Sequence, residues 1–288
     1  MSCQKSCSAT WKLIQSPRPE TSRKVITVFR WDSKDYSKSS AGQQEWAREL
    51  IEKLKLKGDE RVLDIGSGDG KVTAEIATLI PHGEVVGIDS SEEMVKFARE
   101  NFPTTDYPNL HFEVMDAREL SFNKEFDVVF SNATLHWVTD HLTVLKGIKR
   151  SLKPRGRMLL QMGGKGNAKE IFNVLNGVTK RREWKKYFED FSFKYGFYGV
   201  EEYRSWLSEA GLTAVRVELI EKDMIHKGKE GLSAWIRTTW LPYTQSVPEE
   251  LRRQFIDEVG KGYIRLHPVD CQGLVHIRMV RLEVEALS

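Results

Sequence analysis

Apolar positions along this chain alternate between helical and strand spacing. Between Gln43 and Leu56, Trp46, Leu50, Ile51 and Leu54 recur at the spacing of one helix face, and Gly58-Asp59 ends the segment. Arg61 to Ile65 reads as a short buried strand, followed by Gly66-Ser67-Gly68-Asp69-Gly70 and a helix-length segment from Lys71 to Ile80. The alternation then repeats. Glu84–Asp89 is a strand, and Ser91 caps a helix with Met94, Val95 and Ala98 inward. Pro103 and Pro108 bracket a loop before the strand Leu110–Met115, and Phe126–Ser131 is a fourth strand. Leu142 to Leu152 is a helix facing inward through Leu142, Leu145, Ile148 and Leu152; Lys153-Pro154-Arg155-Gly156 reads as a turn and Arg157–Met162 as a fifth strand. Such alternation implies a parallel sheet with helices on both faces.

Past Gly163-Gly164 the pattern loosens. Ala168–Thr179 is helical, Arg182–Tyr198 is rich in aromatic residues and lysine, and Val200–Ala210 is a helix stopped by Gly211. Thr213–Ile220 alternates as a strand, Leu232–Trp240 and Pro248–Ile264 read as helices, and Leu274–Val284 as a last strand. Residues 1–28, with Pro17, Pro19 and many Ser, Thr and Lys, read as an arm.

Composition narrows the function classes. At 288 residues with 40% apolar content, the chain holds a sizeable core. Lys and Arg number 44 against 41 acids, a net +3, which argues against a dedicated nucleic-acid surface. The run Lys180-Arg181-Arg182 with Lys185-Lys186 reads as a solvated helix face or as an attractor for an acidic partner. The three cysteines, Cys3, Cys7 and Cys271, suit a reducing cytoplasm, and no third thiol stands close enough to Cys3 and Cys7 for an iron–sulfur cluster. No apolar run approaches membrane-spanning length, so a cytoplasmic protein with no membrane or nucleic-acid partner and no metal is expected.

The chemistry concentrates at the first strand end. Glycine serves where the backbone turns with positive φ or a ligand approaches closely. A strand, a glycine turn and a helix N-terminus make a nucleotide-type site. Here the spacing is Gly-x-Gly-x-Gly, and Asp69 between the last two glycines would repel a pyrophosphate. About twenty residues on, Val85-Val86-Gly87-Ile88-Asp89 ends in an acid able to accept from both ribose hydroxyls. A cofactor with a ribose and no phosphate meets both conditions, and S-adenosylmethionine (SAM) is one.

The series Val62-Leu63-Asp64-Ile65-Gly66-Ser67-Gly68-Asp69-Gly70, Gly87-Ile88-Asp89-Ser90-Ser91 with Met94, Asp116-Ala117, and Ser131-Asn132-Ala133-Thr134-Leu135-His136-Trp137-Val138 resembles the successive motifs of class I SAM-dependent methyltransferases, in order, from about Trp46 to Gly163. Within that superfamily, Asn132-Ala133-x-x-x-Trp137 and Ala234-Trp235-Ile236-Arg237-Thr238-Thr239-Trp240 are similar to trans-aconitate methyltransferases. The run Leu135–Val138, with Tyr36 and Gln43 upstream, is similar to juvenile hormone acid methyltransferases. Both groups esterify small carboxylates. The resemblance implies a Rossmann-like α/β fold: a seven-stranded, mostly parallel sheet, helices on both faces, the final strand inserted antiparallel, and a helical cap. Residues 29–288 would form this domain, with cap insertions at about 165–200 and 222–272.

It also implies roles. Asp64, Gly66, Ser67 and Gly68 would hold the methionine part of SAM, helped by the Asn132 backbone. Asp89 would hold the ribose, with Ser90 a further cofactor-binding candidate beside it; Asp116 would accept from the adenine amino group, and the Ala117 amide would bond the ring. Met94 packs near the adenine or fills the core. Phe29, Trp31 and Tyr36 belong to a segment that either folds over the cofactor or anchors the arm. Trp137 offers an indole N–H and a wall against water. His136 is a candidate base or a structural residue with satisfied nitrogens, and Gln43 either binds the acceptor carboxylate or lies exposed on its helix. Arg237 with Tyr243 either grips further carboxylates or belongs to a surface helix.

The expected reaction is methyl transfer from SAM to a small-molecule acceptor, at a carboxylate oxygen, in the manner of the trans-aconitate enzymes. A carboxylate with pKa near ~4 is already ionised at neutral pH, whereas an amine or phenol near ~10 needs a base, and no strong base stands out. The alternatives are N-, phenol O- or C-methylation of another small molecule, or SAM binding without transfer.

Overall fold

A computed structural model describes the backbone from Ala41 to Ser288 and the side chains from Trp46 onward. The arm, Phe29, Trp31 and Tyr36 lie outside the described residues. Gln43 falls within the first helix, but its side chain also lies outside them.

Helix α1 (Ala41–Leu54) leads into β1 (Arg61–Ile65), α2 (Lys71–Leu79), β2 (Glu84–Asp89), α3 (Glu92–Asn101), β3 (Leu110–Val114) and β4 (Phe126–Asn132). There follow α4 (His141–Ser151), β5 (Leu152–Gly163), α5 (Lys169–Thr179), α6 (Val200–Glu209) and β6 (Thr213–Lys227). Helices α7 (Gly228–Thr239), α8 (Leu241–Thr244) and α9 (Glu249–Leu266) precede β7 (Leu274–Leu287). The seven strands form one sheet in the order β3-β2-β1-β4-β5-β7-β6. Neighbours from β3 to β5 run parallel, and β7 is antiparallel to both β5 and β6. The parallel strands expected from the alternation, and the mostly parallel Rossmann-like sheet that the resemblance implies, are therefore present.

Period-two alternation explains why both sheet faces are covered. Val62 in β1 and Val128 and Phe130 in β4 join a core with Leu50, Ile76 and Val95 of the first three helices. Their neighbours Leu63 and Val129 join the opposite core, with Val144 and Ile148 of α4 and Leu207 of α6. A third core lies under the cap, where Leu175 of α5, Ile236 of α7 and Phe255 of α9 meet Met224 of β6 and Ile277 of β7.

Two local readings change. Lys153–Gly156 is not a free turn; β5 already starts at Leu152, and the irregularity there is a shifted register with Arg155 at φ +65°. Strand β6 runs through to Lys227 instead of ending near Ile220. Its polar residues Glu221 and Asp223 look like a strand stop, yet they pair across the ladder with Arg278 and His276 of β7. Among the described residues, no helix is long and apolar enough to cross a membrane.

Candidate active site

The ends of β1, β2 and β4 open onto a cavity of about 1360 Å³. Gly66, Gly68 and Gly70 take φ of +79°, +54° and +84°, which L side chains rarely adopt. The turn is pinned to β2: the Gly66 and Ser67 amides donate to the Ile88 carbonyl at 2.7 and 2.9 Å. It is pinned to β4 by Thr134, whose hydroxyl donates to the Gly66 carbonyl at 3.1 Å. A Cβ on Gly66 would sit 2.0 Å from the Thr134 side chain, whereas one on Gly68 would meet nothing within 4 Å. Close packing thus requires the first glycine, and the second leaves open space.

The two acids flank this turn. Asp64 is 2% exposed and accepts from the Thr73 hydroxyl at 2.7 Å. Burial pushes its pKa up to about 7, against the Thr73 bond and with help from the Asp89 charge. Asp89 accepts from the Gly68 amide at 3.0 Å and the Ser91 amide at 2.9 Å. Its pKa is also raised, burial outweighing those two bonds. Asp69 is ion-paired with Lys71 at 3.3 Å. Ser90 and buried Met94 line the cavity beside Asp89. Asp116 and Ala117 line it from the turn after β3. Both Asp116 oxygens accept from Arg118, which holds its carboxyl below the usual range. A carboxylate has about four lone-pair sites, so further acceptance remains open to it.

These residues fit SAM. Gly68 provides a cradle that a Cβ would fill. Ser67 Oγ and Asn132 Oδ1, from residues lining the cavity, are buried and have no hydrogen-bond partner among the described residues. Ala133, at φ +55°, turns the chain off β4 and anchors its amide on the Gln161 carbonyl at 2.8 Å.

The far side of the cavity is aromatic. His136 and Trp137 occupy a short 3-10 turn after β4, with ring centroids 5.7 Å apart. Phe193, Tyr195 and Phe197 extend from the cap, and Tyr195 lies 5.2 Å from Trp137 and 6.3 Å from His136. Phe172 and Trp240 close the group, at 5.7 and 5.6 Å from Tyr195. His136 is 8% exposed, and the Gly163 amide donates to its Nδ1 at 3.4 Å. Burial, aided by the Arg281 and His141 charges, holds its pKa well below the ordinary value, so the ring is neutral. With Nδ1 accepting, the proton sits on Nε2. His141 differs: it is fully committed, to the Tyr203 hydroxyl and the Val138 carbonyl.

The cavity therefore gathers Asp64, Gly66, Ser67, Gly68, Asp89, Ser90, Met94, Asp116, Ala117, Asn132, His136 and Trp137. It does not gather Arg237, which is exposed on α7, or Tyr243, which packs against Phe191 and Phe188. A residue missed in the sequence takes their place. Arg281 of β7 is 4% exposed, lines the cavity, and stacks its guanidinium 5.6 Å from the Trp46 ring. The signal was available: Val275, Ile277 and Met279 share one face of β7, and Arg281 interrupts that apolar stripe.

Residues 56–209 match the family model described as a methyltransferase domain. An uncharacterized methyltransferase of Schizosaccharomyces pombe, C70.08c, is 31% identical over 196 residues, 67% of this chain and 74% of the relative. A trans-aconitate 2-methyltransferase of Shigella dysenteriae is 27% identical over 259 residues, 89% of this chain and 97% of the relative. Among solved structures, Haemonchus contortus phosphoethanolamine N-methyltransferase 2, in complex with phosphomonomethylethanolamine and S-adenosylhomocysteine, shares the fold. Its TM-score is 0.58 at 19% identity, over 89% of this chain and 57% of that one. With the glycine turn, the acid at the end of β2 and the family match in agreement, this chain belongs to the class I SAM-dependent methyltransferases.

Proposed function

We propose that this enzyme methylates a carboxylate oxygen of a small acid with an apolar body. The observation that carries the reading is Arg281, a buried cation lining the same cavity as the aromatic residues Trp137, Tyr195 and Trp240, with a neutral His136 also lining it. A guanidinium in such surroundings favours an anion and disfavours an ammonium.

When bound, the cofactor supplies a methyl group on a positively charged sulfur, which leaves as a neutral thioether while the ester O–C bond forms. The protein's part is holding and shielding. Gly68, Ser67, Asp64 and Asn132 would hold the methionine portion, Asp89 and Ser90 the ribose, and Met94, Asp116 and Ala117 the adenine. Arg281 would neutralise the acceptor carboxylate. His136, through Nε2–H, and Trp137, through its indole N–H, would orient it. The aromatic cap would exclude water. Tyr36 and Gln43 retain the roles that the resemblance implies, over the cofactor and at the carboxylate. Alignment of this kind is worth an effective molarity of about 10⁵–10⁸ M. No base is required, because the acceptor is ionised before it arrives.

The test is incubation with methyl-labelled SAM and a panel of small acids, amines and phenols. Base-labile methyl esters are expected. Transfer confined to amines or phenols overturns the reading.

A further inference from the structure

The cap wall of the cavity carries three hydrogen-bond donors that no described residue accepts from. Trp235 and Trp240 are each 3% exposed and line the cavity. Among the described residues neither indole nitrogen has a hydrogen-bond partner, and the same holds for the hydroxyl of Tyr195, a third lining residue. The three rings adjoin: Trp240 lies 5.6 Å from Trp235 at 82° and 5.6 Å from Tyr195 at 71°. An indole N–H can only donate. Burial holds the Tyr195 pKa well above its ordinary value, so its hydroxyl keeps its proton and donates too. A buried donor without a partner is unfavourable and calls for an explanation. Three such groups along one wall point to an oxygen that belongs between them.

The charge of that oxygen follows from its surroundings. Between residues 235 and 246 the other residues lining the cavity are Thr239, Pro242 and Ser246, none of them charged. Lys194, beside Tyr195, also lines the cavity but is exposed, so an anion buried against these neutral donors would find only that solvated cation on this wall, which is costly. A neutral acceptor carries no such penalty. We propose that this wall is a second recognition site for the methyl acceptor, and that it takes a neutral oxygen, as in a ketone, ester or ether, at the end of the molecule remote from the methylated group. The donors are shielded from solvent, so the oxygen reaches them by entering the cavity and parting edge-on rings. The inference rests on the reading that this cavity holds the acceptor.

The experiment uses full-length protein, labelled with ¹⁵N in its tryptophans and saturated with S-adenosylhomocysteine. Straight-chain probes are titrated in pairs of equal length, one saturated and one with a penultimate ketone. Each pair is made with a carboxylate, a primary amine or a phenol head. In whichever series binds, the ketone should tighten binding roughly tenfold. It should also move the indole resonances of Trp235 and Trp240, assigned through Trp235→Phe and Trp240→Phe. The Trp240→Phe protein should bind ketone and plain chain alike. Absence of a ketone gain in all three series overturns the proposal, as do unmoved indole resonances on the wild-type protein. A chain ending in a second carboxylate that binds tighter than the ketone overturns the neutral assignment. The head-group result is read separately: an amine series that alone binds, with a ketone gain, sinks the carboxylate reading and upholds this site.

Discussion

Arg281 and Glu283 stand two positions apart on the same face of β7, and their partners separate their roles. Glu283 is fully buried between Lys53 at 2.7 Å, Arg216 at 2.5 Å and Gln161 at 2.8 Å. Burial raises its pKa, those three bonds more than offset it, and the result ties α1 to β5, β6 and β7. Arg281 instead lines the cavity. Arg281→Met should therefore raise the KM for an acid acceptor by roughly 10- to 100-fold, the loss of charge-assisted bonds, and leave SAM affinity unchanged. An equal loss in both constants would remove Arg281 from the acceptor site. Asp89 has the complementary test. Asp89→Asn keeps the side chain's shape and loses the charge, so SAM should bind roughly ten- to a hundredfold more weakly by calorimetry. Unchanged affinity would refute the ribose role.

At the scale of elements, the β1–α2 turn separates folding from binding through two glycines. Gly66→Ala forces a Cβ into Thr134 at a positive φ, so it should lower the thermal midpoint strongly. Gly68→Ala meets open space, so its folding penalty should be only the left-handed backbone term of about 1–2 kcal/mol. Its SAM affinity should nonetheless collapse. Denaturation and calorimetry on the pair distinguish the two, and equal midpoints would contradict the packing argument. This turn was legible in the sequence because its causes are local: the glycines, Asp64 and Asp89 lie within one βαβ unit. The cap was not, because its causes are remote. The Phe191, Phe193, Tyr195, Phe197 alternation looks strand-like, yet the segment has no ladder partner and packs its rings on Phe172 of α5 and Trp240 after α7. The true end of β6 was hidden for the same reason, since Glu221 and Asp223 pair with residues more than fifty positions away. Arg237 drew attention through motif similarity, but only the helix's orientation decides that it faces outward.

For the whole molecule, buried titratable groups set opposing pH dependences. Burial lowers His141 and His226 to about 4, and His136 falls well below its ordinary value. The unfolded chain takes up those protons near pH ~6.5, so the folded state loses stability as pH falls from ~6.5 towards ~4. Asp64, raised to about 7, acts in the opposite sense: it stays protonated in the fold while the unfolded chain ionises near ~3.9, so its contribution weakens as pH rises through that window. Three histidines, against the raised acids Asp64 and Asp89, should leave a net fall in midpoint on acidification. Asp64→Asn should steepen that fall, since its opposing contribution disappears. Scanning calorimetry between about pH 7 and pH 4.5 checks both, and a shallower slope in the variant would contradict the burial of Asp64.

Strand β6 meets the rest of the sheet only through β7, which is made last. During synthesis, β6 and the cap helices emerge before the ribbon that fastens them, and the pairing that completes the sheet joins residues distant along the chain. The glycine turn and both of its acids are by then already on the growing polypeptide. A product that terminates before Arg281 would keep the residues proposed to hold the methyl donor but lack the cation proposed for the acceptor, together with every residue of β7 that pairs with β5. Frameshifts and early stops within β7 should therefore leave β5 as an open sheet edge prone to self-association, with β6 uncoupled from the rest of the sheet.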